Sequence, residues 1–480
     1  MPFDTREHDY NRECRDAVHG FVYLSDAEWA IVDCPTFQRL RDIRQLAMAH
    51  LVYPGAIHTR FEHSLGCLHL SNCIYEAVSR QVQRQACPTF AQAYGVNVEL
   101  EKRGRQLLRL AGLLHDLGHS PFSHSGENLM PEQAQEGVSR KVTHEDMTAN
   151  LIRDTEINQV IKNKFGPEWV EEVIAVATDP ELARLPSGAN RPWLRFLNEM
   201  LTGELGSDRM DYLLRDAMHS GQSAGLFDYR KLIDSMIIVP PPEESGEHFR
   251  LGLDEAGWLV AEQMVAARYL MYVFLYFHKT KRIYEIHLER FLAKWLEQEL
   301  GSPCFPVNDA RKYALLTDSR IWAAIYAAAQ TDDDLGKLAR PFVDRSHLRL
   351  ACELLPVDNG SPVHSPGAVE PGSAESGRRN PHVWNAERFD KLAEAVNNHV
   401  RQKYGSASVV PDETKHHAAK FFGARDKIWV YLENRTRYLD ELSEIVAGMP
   451  DKIWRGRIYA PEEIRPGVKS FCSEWLKANS

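Results

Sequence analysis

The chain has 480 residues, 44% hydrophobic and 26% charged, values that exclude a disordered chain and leave room for two or three domains. Its 57 basic and 67 acidic residues give a formal net charge of −10, so any polyanionic ligand must be held by a local basic pocket. Eight cysteines without a C-x-x-C pair, a charged N-terminus and no apolar run near the ~20 residues of a membrane span predict a cytoplasmic protein.

Helical periodicity of apolar residues predicts most of the elements along the chain. Amphipathic helices are predicted at about residues 35–49, 60–84, 144–164, 207–219, 255–300, 318–330 and 385–404. Leucines at helical spacing between residues 107 and 117 predict a further helix, which Gly118 would end because glycine tolerates positive φ. Two β-like runs, residues 236–239 and 249–253, predict a small hairpin. The predicted fold class is mainly α, with this hairpin and a C-terminal mixed α/β segment.

One stretch of the sequence predicts a division between domains. Residues 356–382 are dense in Pro, Gly and Ser and hold few large apolar side chains, so burial cannot offset the entropy lost on ordering them. We interpret them as a flexible linker or loop. It separates an N-terminal body, residues 1–355, from the mixed α/β segment of residues 383–480.

Histidines are concentrated in one part of the sequence. Residues 50–144 hold eight of the twenty, where an even distribution would give about four. In the first of three local arrangements, Thr59 and Glu62 have the spacing of a capping box, which predicts a helix from Arg60. Arg60 and His63 then lie at i, i+3, so a cation and a potential metal ligand share one face.

Two further arrangements supply carboxylates. His115 and Asp116 place an imidazole beside a carboxylate at the end of the leucine-rich helix, a combination that suits a divalent metal. Asp208, Tyr212 and Arg215 follow at i, i+4 and i+7, so an acid, a phenol and a guanidinium share a helix face. This face can complete a metal site and contact an anion.

Each arrangement taken alone has a simpler structural interpretation. A His-Asp pair is more often a hydrogen-bonded structural pair than a metal site, and Asp211 with Arg215 is most simply an ion pair worth ~0.2–0.5 kcal/mol. Four separate segments that each supply a ligand or a proton-transfer group are hard to obtain from packing alone. Their co-occurrence favours chemistry.

With these residues in view, the chain resembles the HD-domain metal phosphohydrolases, whose pattern is a first His, a His-Asp pair and a distant Asp. The segments that carry a closer resemblance are FQRLRDIRQLAMAHLVYPGAIHTRFEHSLG, LLHDLGHSPFSH and SDRMDYLLRDA. They look like the deoxynucleotide triphosphohydrolase branch, which includes the animal enzyme with a sterile alpha motif and many bacterial relatives. The resemblance spans about residues 10–290 and implies an HD-domain helical fold with its core at about residues 35–220.

The resemblance also implies a site, with a divalent metal ion whose identity (Mg, Mn, Fe, Ni or Zn) stays open. The implied metal ligands are His63, His115, Asp116 and Asp208. The residues implied to line the reacting phosphate are His119, His124, Glu127, His144 and Glu145. The implied substrate-binding residues are Gln45, Arg60, Arg209, Tyr212, Asp216, Arg268, Tyr272 and Tyr276.

A guanine-nucleotide or dNTP activator site is implied as well, together with a homo-oligomer, dimer or tetramer. Its residues are Arg12, Asp33, Gln38, Arg41, His278 and Lys279. The sequence departs from the animal enzyme where Arg12 and Arg209 replace Lys, Tyr272 replaces His and Glu127 replaces Asp. Base or sugar preference is expected to differ accordingly.

The activity implied by the resemblance is hydrolysis of dNTPs to a deoxynucleoside and triphosphate, and the residues are physically suited to it. A divalent ion can polarise a phosphoryl oxygen and lower the pKa of a bound water. The leaving sugar alkoxide needs a proton, which His124 or His119 can donate, with His144 oriented by Glu127 or Glu145. Arginines between residues 38 and 60 supply the local basic pocket.

Two other functions stay open: an HD-type nuclease or phosphodiesterase acting on single-stranded or cyclic nucleotides, and a non-catalytic nucleotide sensor. The sequence has no basic stripe with interleaved aromatics, which disfavours the nuclease but leaves nucleic-acid binding undecided. The presence of every proposed ligand and proton donor disfavours the sensor. A (p)ppGpp hydrolase fits less well, because Leu-Gly-His follows the His-Asp pair, and the HD-GYP signature is absent.

Overall fold

A computed structural model describes residues 10–83, 87–135, 138–242, 248–354, 386–405, 408–416, 427–450 and 453–479. Within these residues the chain is mainly α-helical, as predicted. The α-helices are α1 (Asp26–Val32), α2 (Pro35–Gln38), α3 (Arg60–Gln83), α4 (Phe90–Tyr94), α5 (Val98–Leu114), α6 (His144–Asp154), α7 (Glu156–Lys164), α8 (Trp169–Ala177), α9 (Arg191–Thr202), α10 (Ser207–Ser220), α11 (Tyr229–Asp234), α12 (Trp258–Met271), α13 (Lys279–Leu300), α14 (Ala310–Ala314), α15 (Asp318–Ala328), α16 (Asp334–Val343), α17 (Ala386–Tyr404), α18 (Leu439–Leu442), α19 (Glu444–Ala447) and α20 (Arg465–Ala478). None of the helices in the described ranges is long and apolar enough to span a membrane.

The strands of the described residues form four small sheets. The strands are β1 (Arg12–Asp16), β2 (Gly20–Leu24), β3 (Glu132–Gln135), β4 (Val138–Lys141), β5 (Met236–Val239), β6 (Arg250–Leu253), β7 (Arg349–Leu354), β8 (Val410–His416), β9 (Trp429–Leu432), β10 (Arg435–Tyr438) and β11 (Ile453–Ala460). The predicted hairpin is β5 and β6, which pair antiparallel. It is half of a larger sheet, in the order β10-β9-β6-β5, because β9 pairs in parallel with β6.

The helical body is built around α3, which packs against α5 and α10. Helix α5 begins at the side-chain cap of Asn97 and turns its leucines inward, while α8 packs on α5 and α9. The apolar faces of these helices merge into one hydrophobic core. This arrangement positions the start of α3, the end of α5 and the start of α10.

Three predicted helices are interrupted in the structure. The predicted helix at 35–49 is α2 followed by two 3-10 turns, because Ile43 is extended and Arg44 forms a β-bridge with Thr59. The predicted helix at 144–164 divides into α6 and α7 at Thr155, whose backbone is extended. The predicted helix at 255–300 consists of α12 and α13, which are separated by a π-helix at Tyr272–Tyr276.

The prediction that Gly118 ends the leucine-rich helix through a positive φ is wrong. Helix α5 ends at Leu114, and Gly118 is not among the glycines with positive φ. A side chain at Gly118 would instead overlap the backbone of His144 and Thr148 in α6. Glycine is needed here because the turn after α5 approaches α6 closely.

The chain divides into two compact units whose boundaries differ from the predicted ones. The first unit is Met1–Asp344 with Lys420–Met449, and the second is Arg345–Ala419 with Pro450–Ser480. The difference arises because β9 and β10 pair within the sheet of the first unit, although they lie in the predicted C-terminal segment. The second unit contains the antiparallel sheet β7-β11-β8 with α17 and α20 packed on it. The predicted linker, residues 356–382, lies outside the described residues.

Candidate metal centre and phosphate site

Three helices of the first unit bring the four predicted metal ligands together. His63 lies in the first turn of α3, His115 and Asp116 directly follow α5, and Asp208 lies in the first turn of α10. Nε2 of His63 is 3.1 Å from Oδ1 of Asp208 and 3.4 Å from Oδ2 of Asp116. Nε2 of His115 is 3.4 Å from Oδ1 of Asp116 and 3.7 Å from Oδ1 of Asp208.

His115 provides the observation that tests whether a cation fits this cluster. Its Nδ1 lies 2.9 Å from the carbonyl oxygen of Gly112, so the Nδ1–H donates there and Nε2 is the atom that would offer a lone pair to a cation. Nε2 is buried and has no hydrogen-bond partner among the described residues, although two carboxylates face it. Imidazole and carboxylate donors at these positions fit a divalent cation.

Cys67, one turn after His63, adds a thiol that the sequence analysis did not select. Its Sγ lies 3.6 Å from both ring nitrogens of His63. Together with His63, His115 and Asp208 it forms a group whose ligand atoms all lie within 4.8 Å of one another. A thiol at this distance makes a softer cation than Mg²⁺ more favourable.

Arg60 links the cluster to the adjacent loop. Its guanidinium donates to Asp116 and, over 2.7 Å, to Oγ of Ser123. Burial raises the pKa of Asp116, but the Arg60 cation and the neighbouring imidazoles hold it well below its usual range. Asp116 is therefore ionised and available as a ligand.

A second polar cluster, which we call the histidine–glutamate cluster, consists of His119, His124, Glu127 and His144. Oε1 of Glu127 is 2.8 Å from Nδ1 of His144, 3.1 Å from Nδ1 of His124 and 3.4 Å from Nδ1 of His119. The His119 and His144 rings stack with centroids 3.9 Å apart. Nε2 of His119 is 3.2 Å from Oδ1 of Asp116, so the two clusters are contiguous.

The loop that carries His124 has a strained backbone. Phe122 and Ser123 have φ values of 59° and 54°, in the left-handed region that non-glycine residues seldom adopt. The buried carboxylate of Asp318 accepts the Phe122 amide at 2.7 Å and the Arg44 amide at 3.0 Å. Asp318 thereby ties this loop to the segment that carries Gln45.

The environment separates the protonation states of the buried imidazoles. Burial and the Arg60 cation hold the pKa of His119 well below its ordinary value. Burial also lowers the pKa of His144, but the hydrogen bond to Glu127 and the negative charges of the nearby carboxylates together outweigh it, and the net shift is upward. One ring is therefore neutral and its stacked neighbour favours the proton.

The predicted sugar-side residues meet around Asp216. Its Oδ2 accepts the Tyr276 hydroxyl at 2.7 Å, and its Oδ1 lies 2.7 Å from Nε2 of His58. The ring centroids of Tyr272 and Tyr212 are 4.9 Å and 6.4 Å from that of Tyr276.

Two of the predicted phosphate contacts share one carboxylate. Oε2 of Glu204 accepts from Arg268 at 3.0 Å, and its Oε1 lies 2.9 Å from Nη2 of Arg209. Arg209 also donates to the Thr202 carbonyl oxygen at 2.5 Å. Both guanidinium groups are oriented before any ligand arrives. Gln45 holds a buried Oε1 without a partner among the described residues.

Glu145 does not join the histidine–glutamate cluster. Its Oε2 accepts the backbone amide of Asp179 at 2.7 Å, so Glu127, not Glu145, is the hydrogen-bond partner of His144. The helical direction of α6 explains this, because consecutive residues of a helix do not share a face.

The predicted activator residues occupy two places in the chain. Arg12 on β1 pairs with Asp26 at 2.7 Å, and Asp33 follows α1. Gln38 accepts from Arg41 at 2.7 Å, and the Arg41 guanidinium lies 3.5 Å from the ring centroid of Phe61. The second place is the start of α13, where His278 caps the helix through Nδ1, which accepts the Thr280 amide at 3.2 Å, and Lys279 is exposed.

Several polar residues behind the site are not indicated by any sequence pattern. The ion pair predicted between Asp211 and Arg215 is present, but it is fully buried, and Asp211 also contacts His63. His19, His58 and Glu204 were not selected. Each is a polar residue within seven positions of a predicted site residue, and proximity in sequence does not distinguish a buried partner from a surface side chain.

The comparisons with known proteins agree with this geometry. A model of the HD domain matches residues 60–212, a range that contains His63, His115, Asp116 and Asp208. Deoxynucleoside triphosphate triphosphohydrolase SAMHD1 of Mus musculus is 31% identical over 240 residues, covering 47% of this chain and 34% of its own length. Residues 60–212 therefore belong to the HD-domain family.

Relatives without an assigned activity have comparable similarity to this chain. Uncharacterized protein YwfO of Bacillus subtilis is 33% identical over 289 residues, 59% of this chain and 56% of that protein. The chain thus spans about half the length of the curated relatives it matches.

Solved structures match over nearly the whole chain. The crystal structure of a hypothetical protein from Aquifex aeolicus has a TM-score of 0.70 at 30% identity and covers 96% of this chain and 99% of its own. A phosphohydrolase from Bacteroides thetaiotaomicron has a TM-score of 0.64 at 22% identity, with 94% and 100% coverage, which shows the same fold.

Proposed function

We propose that this HD-domain phosphohydrolase hydrolyses dNTPs to a deoxynucleoside and triphosphate in a metal-dependent reaction. The observation that carries the proposal is the contiguity of the two clusters through Asp116 and His119. A cation held by the first cluster and a proton donor in the second would then act on opposite sides of one phosphoryl group. The resemblance to the triphosphohydrolase branch supports the choice of dNTPs.

In this proposal, His63, His115, Asp116 and Asp208 would hold the divalent cation. When bound, the cation would supply Lewis acidity toward a phosphoryl oxygen and the attacking water. Asp208 is the most accessible of the four side chains, at 29% exposure, so the cation and the phosphate would approach from its side.

The histidine–glutamate cluster would supply the proton for the leaving sugar oxygen. The His124 side chain is 70% exposed, and its Nδ1 faces Glu127, so its Nε2 is directed away from that carboxylate. An imidazolium oriented in this way can protonate an alkoxide at neutral pH. His144, hydrogen-bonded to the same carboxylate, would keep Glu127 ionised and in place.

The remaining predicted substrate residues would bind the two ends of the nucleotide. Arg209 and Arg268 would contact the triphosphate, since their guanidinium groups are already held side by side by Glu204. Tyr212, Tyr272 and Tyr276 would form the sugar-side wall. The buried Oε1 of Gln45 is available to accept a hydrogen bond from a sugar hydroxyl.

The test is an assay of the whole protein with each dNTP and Mn²⁺ or Mg²⁺. Chromatography distinguishes the expected deoxynucleoside and triphosphate from a nucleoside monophosphate with pyrophosphate. Intact dNTPs together with cleaved single-stranded oligonucleotide would refute the proposal in favour of a nuclease.

A variant ties the activity to the metal centre. His115→Ala should lose Mn²⁺ binding and turnover, and its melting temperature should fall only as far as the loss of the buried ring and of its Nδ1–H bond to Gly112 requires. The matched control is His50→Ala. The ring of His50 also faces a backbone carbonyl oxygen, that of Ala47 at 3.2 Å, but His50 belongs to neither cluster. Full metal-dependent activity in His115→Ala would contradict the assignment.

A further inference from the structure

Behind His63, on the side away from the other proposed ligands, lies a fully buried carboxylate. Oδ2 of Asp211 is 2.8 Å from Nδ1 of His63, and neither side chain is exposed. An imidazole that donates its Nδ1–H to a carboxylate keeps its lone pair on Nε2. In His63 that atom faces Asp208 and Asp116.

Asp211 is itself fixed from two directions. Arg215 donates to it from Nε over 2.8 Å and from Nη2 over 2.9 Å, and Nε2 of His19 lies 2.6 Å from its Oδ1. Helix α3 leaves room for this arrangement only because residue 66 is glycine, since an added Cβ there would overlap the Asp211 carboxylate and the Arg215 guanidinium.

The turn of the β1–β2 hairpin supplies part of this network. His19 lies in that turn, and Asp16 at the end of β1 accepts from Nη1 of Arg215 at 2.8 Å. The other oxygen of Asp16 accepts the backbone amides of Val18 and His19, each at 2.8 Å, which fixes the turn. The hairpin therefore contacts the residue that orients His63.

We infer that Asp211 is a positioning residue for the metal centre, and that His19 and Asp16 couple the N-terminal hairpin to it. The inference rests on the proposed metal centre and adds a means of regulation to it. Arg12, a predicted activator contact, lies on the strand that ends at Asp16. A ligand that orders or displaces this hairpin would change how firmly His63 is held, and cation binding would in turn stabilise the hairpin.

A purely structural role is the rival explanation, and the chain offers a matched control for it. Glu28 is another fully buried carboxylate that accepts from one arginine, Arg109, at 2.7 and 2.9 Å. It contacts none of the proposed metal ligands in the hydrogen bonds of the described residues. Loss of charge at Glu28 should destabilise the fold comparably without affecting the metal centre.

The first experiment measures Mn²⁺ affinity by isothermal titration for the wild type, Asp211→Asn and Glu28→Gln. Loss of a carboxylate behind a ligand histidine should weaken Mn²⁺ binding about 10–100-fold in Asp211→Asn. Glu28→Gln should lose melting temperature and keep its affinity. Equal affinities in all three proteins would overturn the inference alone, whereas a wild type that binds no Mn²⁺ would refute the metal centre itself.

The second experiment tests the coupling and uses a milder variant, in case Asp211→Asn does not fold. Hydrogen exchange of the hairpin amides, residues 12–24, is followed with and without saturating Mn²⁺. Mn²⁺ should slow this exchange in the wild type. His19→Ala should still bind Mn²⁺, with lower affinity, but should lose most of the effect of Mn²⁺ on hairpin exchange. Hairpin exchange that is indifferent to Mn²⁺ in the wild type would overturn the coupling.

Discussion

At the scale of single residues, one carboxylate gives three imidazoles different chemical characters. Glu127 faces Nδ1 of His119, His124 and His144, yet the three rings differ in burial. His119 is buried beside the Arg60 cation and stays neutral, whereas His144 gains affinity for its proton from Glu127. His124, whose side chain is 70% exposed, is the most accessible of the three.

The proton-donor assignment predicts a specific effect of His124→Ala. The variant should bind Mn²⁺ and dNTP like the wild type, because no proposed metal ligand contacts His124. Its rate should fall about 10²–10⁴-fold, the usual contribution of a general acid. Single-turnover rates and Mn²⁺ titrations check this, and a variant that loses the metal would show that His124 is a ligand.

At the scale of elements, the two loops that frame the site depend on the first residue of α15. Asp318 receives amides from both loops, and no cation in the described residues forms an ion pair with it. Burial raises the pKa of Asp318 to about 7, although the two amides act in the opposite direction. Ionising the Asp318 side chain therefore costs free energy at the position where it binds the two loops.

This predicts a pH dependence with a definite sign. An unfolded Asp titrates near pKa ~3.9, so between that pH and about 7 the folded protein binds more protons at Asp318 than the unfolded chain does. The free energy of unfolding contributed by this residue therefore falls as pH rises through that window. Asp318→Asn, which does not titrate, should lack this fall.

Urea unfolding of both proteins at pH 5 and pH 8 measures the effect. The free energy of unfolding of the wild type minus that of Asp318→Asn should decrease from pH 5 to pH 8. Taking this difference cancels the contributions of titrating groups that both proteins share. Parallel pH profiles would show that Asp318 is ionised throughout.

Sequence patterns predicted the elements that are held by long apolar faces. Helices α3 and α10 both begin at the predicted residue and end within one residue of the predicted end. The predicted ligands that they carry face one another as expected. The break at Ile43 could not be predicted, because it depends on the bridge between Arg44 and Thr59. Likewise, the sequence contains the Asp211–Arg215 spacing but not its burial, which depends on the contact with Asp16 and His19.

At the scale of the whole molecule, the predicted activator residues bear on assembly. Asp33 is exposed at the end of α1, where a carboxylate can accept from both N1–H and the exocyclic amine of guanine. Arg41, stacked on Phe61, can donate to guanine O6 or to a phosphate. These residues remain predictions of a regulatory site.

If the site is regulatory, GTP or dGTP should promote oligomer formation and raise dNTPase activity by binding the assembled state more tightly. Asp33→Ala should lose this response while still binding Mn²⁺. Light scattering and rates against GTP concentration test both effects. A wild type that is indifferent to guanine nucleotides in both assays would leave an unregulated hydrolase.

The interleaving of the two units has a consequence for how the protein is made. One of the two neighbours of β6 in its sheet is β9, which emerges from the ribosome only after α12 to α17. Throughout that interval the nascent chain carries a strand edge without its partner, the kind of edge that invites aggregation. A shortened gene that stops at residue 344 would make this transient exposure permanent, although it keeps every proposed ligand.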